Sequence, residues 1–154
     1  MPLKENIPAP DFSLEDETGK LRKLSGYAGK WVLLYFYPKD DTPGCTTEAC
    51  SFRDDYSAYD KAGVTILGVS PDSPKSHAKF KAKYALPFSL LADENHEVCD
   101  KYGVWGDKKL MGREYKGVLR TTFVIDTEGK IAAIFENVKP AGHSTEILEE
   151  LKVS

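Results

Sequence analysis

Cys45 has the sequence context most favourable to chemistry in this chain, because it follows directly on Thr42-Pro43-Gly44. Thr42 is a good helix N-cap and Pro43 suits the first helical position, so Cys45 is expected in the first turn of a helix. The unpaired backbone N–H groups and the positive end of the helix dipole there favour a thiolate over a thiol. The pattern therefore predicts a nucleophilic cysteine. The alternative is a small buried apolar residue.

The neighbours of Cys45 act in opposite directions. Gly44 lets the backbone approach a small substrate, and Thr42 places a hydroxyl within one turn of the sulfur. Glu48 lies three residues after Cys45, and a nearby negative charge disfavours a thiolate. We therefore expect a cation from elsewhere in the chain to offset Glu48.

Cys50 lies five residues after Cys45, and this spacing limits how the two can react. In an ideal helix the two Cα atoms would be about 8.7 Å apart. A disulfide needs Cα atoms within about 7 Å, so the pair cannot bond while the helix is intact. Either Cys50 is structural or the helix must fray at its first turns. The spacing also excludes a Cys-x-x-Cys dithiol.

The remaining candidates favour structure over chemistry. Cys99 shares a predicted helix with Val98 and Tyr102, and we interpret it as a packing residue. Asp40 and Asp41 are interpreted as solvating and capping a loop. The three histidines, His77, His96 and His143, have no spacing typical of a metal site. The alternating lysines Lys79, Lys81 and Lys83 predict a solvated helix face. No glycine-rich phosphate loop is present.

The elements that must position Cys45 alternate between strand and helix. Residues 31–37 form a continuous apolar run and predict a strand buried on both faces. We expect a hairpin of residues 11–16 and 21–24, then further strands at 64–69, 88–91, 122–125 and 130–135. Predicted helices span residues 43–62, 73–84 and 144–152, with a shorter one capped by Asp93 and ended by Gly103. The order predicts an α/β fold with a mixed sheet and helices on both faces.

Composition limits the function further. The chain has 154 residues and a mass of 17.1 kDa, which predicts one domain spanning residues 1–154. A net charge of −3 gives no reason to expect nucleic acid as a partner. The longest apolar run has seven residues, so no membrane span is expected. Three cysteines and a start without an apolar signal core, Met1 to Asn6, predict the reducing cytoplasm.

Several motifs in the chain resemble those of a known protein family. Pro38-x-x-x-Thr42-x-x-Cys45 is similar to the active-site motif of the peroxiredoxins. Residues 42–54 resemble the bacterioferritin-comigratory, or Q-type, branch of that family. The similarity continues at residues 68–70, 105–106 and 120–126, and covers the chain from about residue 3 to residue 152.

The resemblance implies a thioredoxin-like fold, with a central mixed sheet and an N-terminal hairpin extension. It implies a peroxidase without metal or organic cofactor, often monomeric, with thioredoxin as reductant. Cys45 would be the peroxidatic cysteine and Cys50 the resolving cysteine. Arg120 would supply the cation beside Cys45, and Pro38 would shield the sulfur. Peroxide would then oxidise Cys45 to a sulfenic acid, and Cys50 would condense with it to a disulfide.

Two rival functions remain open from the sequence. The first is a disulfide oxidoreductase acting on protein substrates, which the missing Cys-x-x-Cys disfavours. The second is a thiol-based redox sensor or holdase, which would react with peroxide but turn over little with a reductant.

Overall fold

A seven-stranded mixed sheet lies at the centre of the fold in a computed structural model, which describes residues 3–153. Met1, Pro2 and Ser154 lie outside the described residues, so the first two residues of the segment predicted to lack a signal core are not covered. The strand order is β2-β1-β5-β4-β3-β8-β9. The strands are β1 (Ser13–Asp16), β2 (Leu21–Lys23), β3 (Trp31–Phe36), β4 (Val64–Ser70), β5 (Ser89–Ala92), β8 (Thr121–Ile125) and β9 (Ile131–Phe135).

Helices cover both faces of this sheet, as predicted. Four helices pack on one face: α1 (Pro43–Asp54), α2 (Tyr56–Lys61), α3 (Pro74–Tyr84) and α5 (His143–Val153). The other face packs against α4 (Glu97–Lys101) and a short 3-10 helix (Leu24–Tyr27). Among the described residues, no helix has the length and apolar character needed to cross a membrane.

The central strand β3 determines where the functional residues meet. It pairs in parallel with β4 and antiparallel with β8, and its residues 32–36 are fully buried. Because β8 runs antiparallel, Thr121 at the start of β8 lies opposite Phe36 at the end of β3. The residue before β8, Arg120, therefore reaches the same edge of the sheet as the loop that leads from β3 into α1.

The predicted helix over residues 43–62 is wrong in one respect, because it breaks at Asp55. There the backbone leaves helical geometry (φ −97°, ψ 8°), and α2 starts at the next residue. The Asp55 carboxylate accepts a hydrogen bond of 2.8 Å from Ser144 Oγ on α5. Tyr59 Oη also donates to the Ser144 carbonyl at 2.8 Å. The junction is thus attached to a helix that is distant in sequence.

The hairpins at residues 13–23 and 121–135 were expected from the sequence, but a third hairpin, at residues 105–118, was not. Strands β6 (Trp105–Leu110) and β7 (Arg113–Val118) pair antiparallel in a separate two-stranded sheet. The turn residues Met111 and Gly112 both have positive φ, as in the type I′ turns that suit hairpins. Most of the strand residues are polar or charged, so the apolar alternation that usually indicates a strand is absent.

Candidate active site

Cys45 lies in the first turn of α1, on the side of that helix that faces the sheet. Thr42 occupies the N-cap position in extended backbone geometry, and Pro43 begins the helix. The Cys45 side chain is only 2% exposed and joins the same buried cluster as Ala49 and Phe52. The helix start predicted from the sequence is confirmed, and it places the sulfur beside unpaired backbone donors.

The Thr42 hydroxyl does not cap the helix. Its Oγ1 donates a hydrogen bond of 2.9 Å to the carbonyl of Lys39. With its proton directed at that carbonyl, Oγ1 presents lone pairs, so it is suited to accept a hydrogen bond from a peroxide. This differs from a donor role, in which the proton would be free to face the reacting oxygens.

The Arg120 guanidinium bridges Cys45 and Glu48. Its Nη2 lies 3.3 Å from Cys45 Sγ, and its Nη1 lies 2.7 Å from Glu48 Oε1. Burial acts to lower the pKa of Arg120, but Glu48 and Cys45 raise it above its ordinary value. The guanidinium therefore stays charged and stands where a cation was expected.

Gly44 makes room for this guanidinium. A Cβ atom at Gly44 would lie 3.3 Å from Arg120 Nη2 and 3.5 Å from Pro140 Cγ. The close approach expected at this glycine thus involves Arg120 as well as any substrate. A larger residue would displace the group that contacts the sulfur.

Glu48 is a buried acidic residue whose carboxyl group is only partly hydrogen-bonded. Its side chain is fully buried, and Oε2 has no hydrogen-bond partner among the described residues. Burial raises the pKa of Glu48 to about 7, although Arg120 acts to lower it. Near neutral pH, Glu48 therefore exchanges between a neutral acid and a carboxylate, beside the sulfur that must be ionised.

Replacing Glu48 with glutamine should increase the thiolate fraction of Cys45 near neutral pH. The amide oxygen can still accept from Arg120, but it adds no negative charge as the pH rises through about 7. Alkylation of Cys45 by iodoacetamide, followed against pH, measures this. Exposed Glu128→Gln is the control. A thiolate fraction that is unchanged or lower in Glu48→Gln would contradict the prediction.

The same substitution has a stability signature. The folded-state pKa of Glu48, about 7, lies above its ordinary value of 4.5, so the folded state binds more protons between these values. Its contribution to the free energy of unfolding is present below pH 4.5 and is lost as the pH rises through about 7. Urea unfolding should show a flatter pH dependence in Glu48→Gln over this interval.

Lys108 is a second cation near the site, and the sequence reasoning missed it. It lies half-buried on the inner side of β6, where Nζ donates a hydrogen bond of 2.9 Å to the Val118 carbonyl. Burial lowers the pKa of Lys108, and the positive charge of Arg120 lowers it further. Only the unexpected hairpin brings this lysine to the site.

The loop before α1 is more ordered than predicted. Pro38 lies partly buried directly after β3, with Asp40 and Asp41 beyond it. Asp40 is buried and hydrogen-bonded rather than solvated, and Asp41 pairs with Lys83 at 2.7 Å. Lys81 pairs with Glu17 at 3.1 Å. Lys79 and Lys83 are exposed, as expected of a solvated helix face, whereas Lys81 is half-buried against Glu17.

The other cysteines lie apart from the guanidinium contact. Cys50 is half-buried within the continuous helix α1, and none of the three cysteines is in a disulfide within the described part of the chain. Cys99 is fully buried, and burial raises the pKa of its thiol, as does Asp93. Asp93 accepts backbone hydrogen bonds from Val98 and Cys99 in the first turn of α4, as expected of a capping carboxylate, but the N-cap position itself is occupied by His96.

Two of the three histidines are not the ordinary helix or loop residues that were expected. His77 is fully buried, with hydrogen bonds at both ring nitrogens. His143 is 2% exposed and bonds to Thr122 and Glu146. His96 stacks on Trp105 with ring centroids 4.0 Å apart. Isolated spacing gave no indication of these networks, because their partners lie elsewhere in the sequence.

Comparison with known proteins identifies the family to which the chain belongs. Residues 6–134 match the AhpC/TSA family. The chain is 52% identical over 151 residues to a putative peroxiredoxin bcp of Coxiella burnetii, covering 98% of this chain and 100% of that protein. It is 49% identical over 152 residues to peroxiredoxin Bcp of Bacillus subtilis, covering 99% and 97%.

A solved structure of the Xanthomonas campestris bacterioferritin comigratory protein, studied for alkyl peroxide reduction, superposes with a TM-score of 0.90. It is 38% identical and covers 97% of this chain and 98% of that one. The likeness confirms the predicted thioredoxin-like fold with its mixed sheet. The chain therefore belongs to the AhpC/TSA family and is a peroxiredoxin of the Bcp, or Q-type, branch.

Proposed function

We propose that this peroxiredoxin reduces hydrogen peroxide and organic hydroperoxides with Cys45 as the peroxidatic cysteine and Cys50 as the resolving cysteine. The observation that carries the assignment is the contact of 3.3 Å between Arg120 Nη2 and Cys45 Sγ, in the first turn of α1. A charged donor on a sulfur at a helix N-terminus favours its thiolate, which is the nucleophilic form.

In the first step the Cys45 thiolate attacks one peroxide oxygen, and the S–O bond forms as the O–O bond breaks. The sulfur is oxidised to a sulfenic acid, and the other oxygen leaves as hydroxide or alkoxide and takes up a proton. Negative charge moves from sulfur to the leaving oxygen, so donors must face both atoms. Arg120 and the Cys45 backbone N–H are suited to donate hydrogen bonds to these atoms. Thr42 Oγ1 is suited to hold the peroxide by accepting a hydrogen bond from its O–H.

Pro38 has a different role in this proposal. It lies at the end of β3, partly buried, with no side-chain donor to offer. Its ring limits the access of water and excess peroxide to the sulfur, which restrains oxidation beyond the sulfenic acid.

In the second step Cys50 attacks the sulfenic sulfur, a disulfide forms and water leaves. The first turns of α1 must unwind for this, since an intact helix keeps the Cα atoms about 8.7 Å apart. The last turn of α1, which follows Cys50, is anchored, because Phe52 packs with ring centroids 4.8 Å from Tyr35 and 5.9 Å from Tyr59. Local opening is therefore confined to the turns that carry the two cysteines.

A dithiol reductant then returns the enzyme to its starting state. Thiol–disulfide exchange transfers the oxidation from the Cys45–Cys50 bond to the partner, and thioredoxin is the partner we propose. The scheme uses two thiols and a guanidinium and calls for no metal or organic cofactor. We propose a monomer acting in the cytoplasm, without nucleic-acid or membrane partners.

Intact-mass analysis tests this scheme directly. One equivalent of hydrogen peroxide should remove two hydrogens from the reduced protein, and peptide mapping should assign the bond to Cys45 and Cys50. Sustained peroxide consumption with thioredoxin separates an enzyme from a redox sensor, and insulin reduction tests for a disulfide oxidoreductase. A disulfide involving Cys99, or a stable sulfenic acid without a disulfide, would overturn the assignment.

Replacing Cys50 with serine should leave one turnover intact and stop steady-state recycling by thioredoxin. Cys45 still meets Arg120, so it is oxidised at nearly the normal rate, but no second thiol is close in sequence to close the bond. Stopped-flow kinetics measure the first step, and a coupled thioredoxin assay measures turnover. Cys99→Ser, at the buried cysteine, is the matched control and should keep both. Full thioredoxin-dependent turnover in Cys50→Ser would contradict its resolving role.

A further inference from the structure

A buried hydrogen-bond network holds the loop that connects β3 to α1. The Asp40 carboxylate is at its centre and is almost fully buried. Its Oδ1 accepts a hydrogen bond of 2.6 Å from Tyr37 Oη. Its Oδ2 accepts a hydrogen bond of 2.8 Å from Ser76 Oγ and lies 2.7 Å from His77 Nδ1. Three side chains therefore converge on one carboxylate from β3's end and from α3.

The His77 ring connects Asp40 to the backbone of β5. The ring has no exposed surface, and Nε2 lies 2.9 Å from the Leu91 carbonyl, which can only accept. Nδ1 lies 2.7 Å from Asp40 Oδ2 and 3.5 Å from Tyr37 Oη. Both ring nitrogens therefore have partners, and the ring holds the Asp40 carboxylate against a strand of the central sheet.

The cluster is a hydrogen-bond network rather than a metal site. One ligand atom from each of Asp40, Asp72 and His77 lies within 4.8 Å of the others. Two ligands at about 2.1 Å from a tetrahedral metal would lie roughly 3.4 Å apart. The Asp40–His77 separation of 2.7 Å is shorter and fits a shared proton.

Further hydrogen bonds fix the loop at two successive residues, to Asp72 just before α3 and to α3 itself. The Asp40 backbone N–H donates 2.8 Å to Asp72 Oδ2. Asp41 has φ of 55°, and its carboxylate accepts from Lys83 Nζ at 2.7 Å and from Tyr84 Oη at 2.8 Å. Pro38 and Thr42 lie on either side of these anchors, and Cys45 follows one helical turn later.

We propose that His77 is a positioning residue, which holds the Asp40 side chain by a buried hydrogen bond of 2.7 Å and thereby fixes residues 38–42 in the geometry that Cys45 needs. The proposal rests on the peroxidase function proposed above. His77 touches neither the sulfur nor the peroxide. It acts through Asp40 on the loop that carries Pro38 and Thr42, and a displacement of about 1 Å in such a loop can slow chemistry by roughly 100-fold.

Two substitutions at Asp40 separate positioning from simple loss of charge. In Asp40→Asn, the amide oxygen can still accept from Tyr37, and the NH₂ can donate to a neutral Nδ1 of His77 and to Ser76 Oγ, which then accepts instead of donating. Every hydrogen bond can therefore be remade without charge, and we expect the rate of Cys45 oxidation to stay within about threefold. Asp40→Ala removes the acceptor for three groups, and we expect a loss of roughly 10-fold to 100-fold.

The same variants have a signature in nitrogen NMR of the His77 ring. The Nδ1 signal should report the hydrogen bond to residue 40 in the wild-type protein and in Asp40→Asn, and Asp40→Ala should lose that signature. Hydrogen exchange of the Asp40 amide reports the order of the loop without any peroxide and should rise only in Asp40→Ala. These two readouts hold even if the wild-type protein consumes no peroxide, in which case the proposed function fails and the loop assignment does not.

Ile131→Val controls for general destabilisation, because Ile131 is buried in the core on the opposite face of the sheet. It should lower stability and leave the oxidation rate of Cys45 unchanged. A His77 Nδ1 signal that is the same in the wild-type protein and in Asp40→Ala would overturn the hydrogen bond between His77 and Asp40. A folded Asp40→Ala variant that oxidises Cys45 at the wild-type rate would overturn the positioning role.

Discussion

Replacing Cys45 with serine is expected to abolish peroxide consumption while leaving the fold intact. Serine is close in shape to cysteine, so the buried cluster around Ala49 and Phe52 keeps its packing. Its hydroxyl is not ionised near neutral pH and forms no sulfenic acid. The rate should fall by roughly 10⁵-fold or more, the scale seen when an enzyme loses its nucleophile. Stopped-flow assays with hydrogen peroxide, together with thermal unfolding, measure both parts.

The control for this experiment is Cys99→Ser. Cys99 is also fully buried, and it lies in the core on the other face of the sheet from Cys45. The Cys99→Ser variant should retain peroxide consumption at the wild-type rate. Sustained consumption by Cys45→Ser, or an equal loss in Cys99→Ser, would remove Cys45 from its assigned role.

Replacing Arg120 with methionine is expected to have the second largest effect. Methionine keeps an unbranched apolar side chain, although a shorter one, and removes the donor at 3.3 Å from Cys45 Sγ and the charge that offsets Glu48. The rate of Cys45 oxidation should fall about 100-fold to 1000-fold, as when an enzyme loses one preorganised donor to a developing charge. Rapid-mixing measurements of Cys45 oxidation against peroxide concentration give this rate constant.

The same substitution should also lower stability, because it leaves Glu48 buried without its cation. Breaking a buried pair costs about 3 kcal/mol at the lower end of the usual range, and uptake of a proton by Glu48 favours that lower end. In the double variant Arg120→Met with Glu48→Gln, stability should return while the oxidation rate stays low. Urea unfolding of both variants tests this separation.

Arg113→Met provides the control for a lost arginine, since Arg113 is exposed on β7. It should change neither stability nor the rate. If Arg120→Met oxidises Cys45 at the wild-type rate, or if the double variant recovers the rate, the guanidinium has no direct part in the reaction.

The sequence by itself determined the local features that support the reaction. A seven-residue apolar run predicted the buried strand, and Thr42 with Pro43 predicted the helix start, because both signals act within a few residues. The spacing of Cys45 and Cys50 likewise showed that they cannot bond within an intact helix. The motif from Pro38 to Cys45 was specific enough to indicate the family.

Only the tertiary structure decided how distant residues meet. Arg120 reaches Cys45 and Glu48, which lie 75 and 72 positions away in sequence, because β8 pairs antiparallel with β3. Asp40 and His77 lie 37 positions apart, and Lys108 arrives on a hairpin whose polar strands gave no apolar pattern. Charge pairing and burial depend on distances in space, which local propensities do not specify. The nucleophile could thus be predicted from its neighbours in sequence, whereas its electrostatic partners depend on which strands pair.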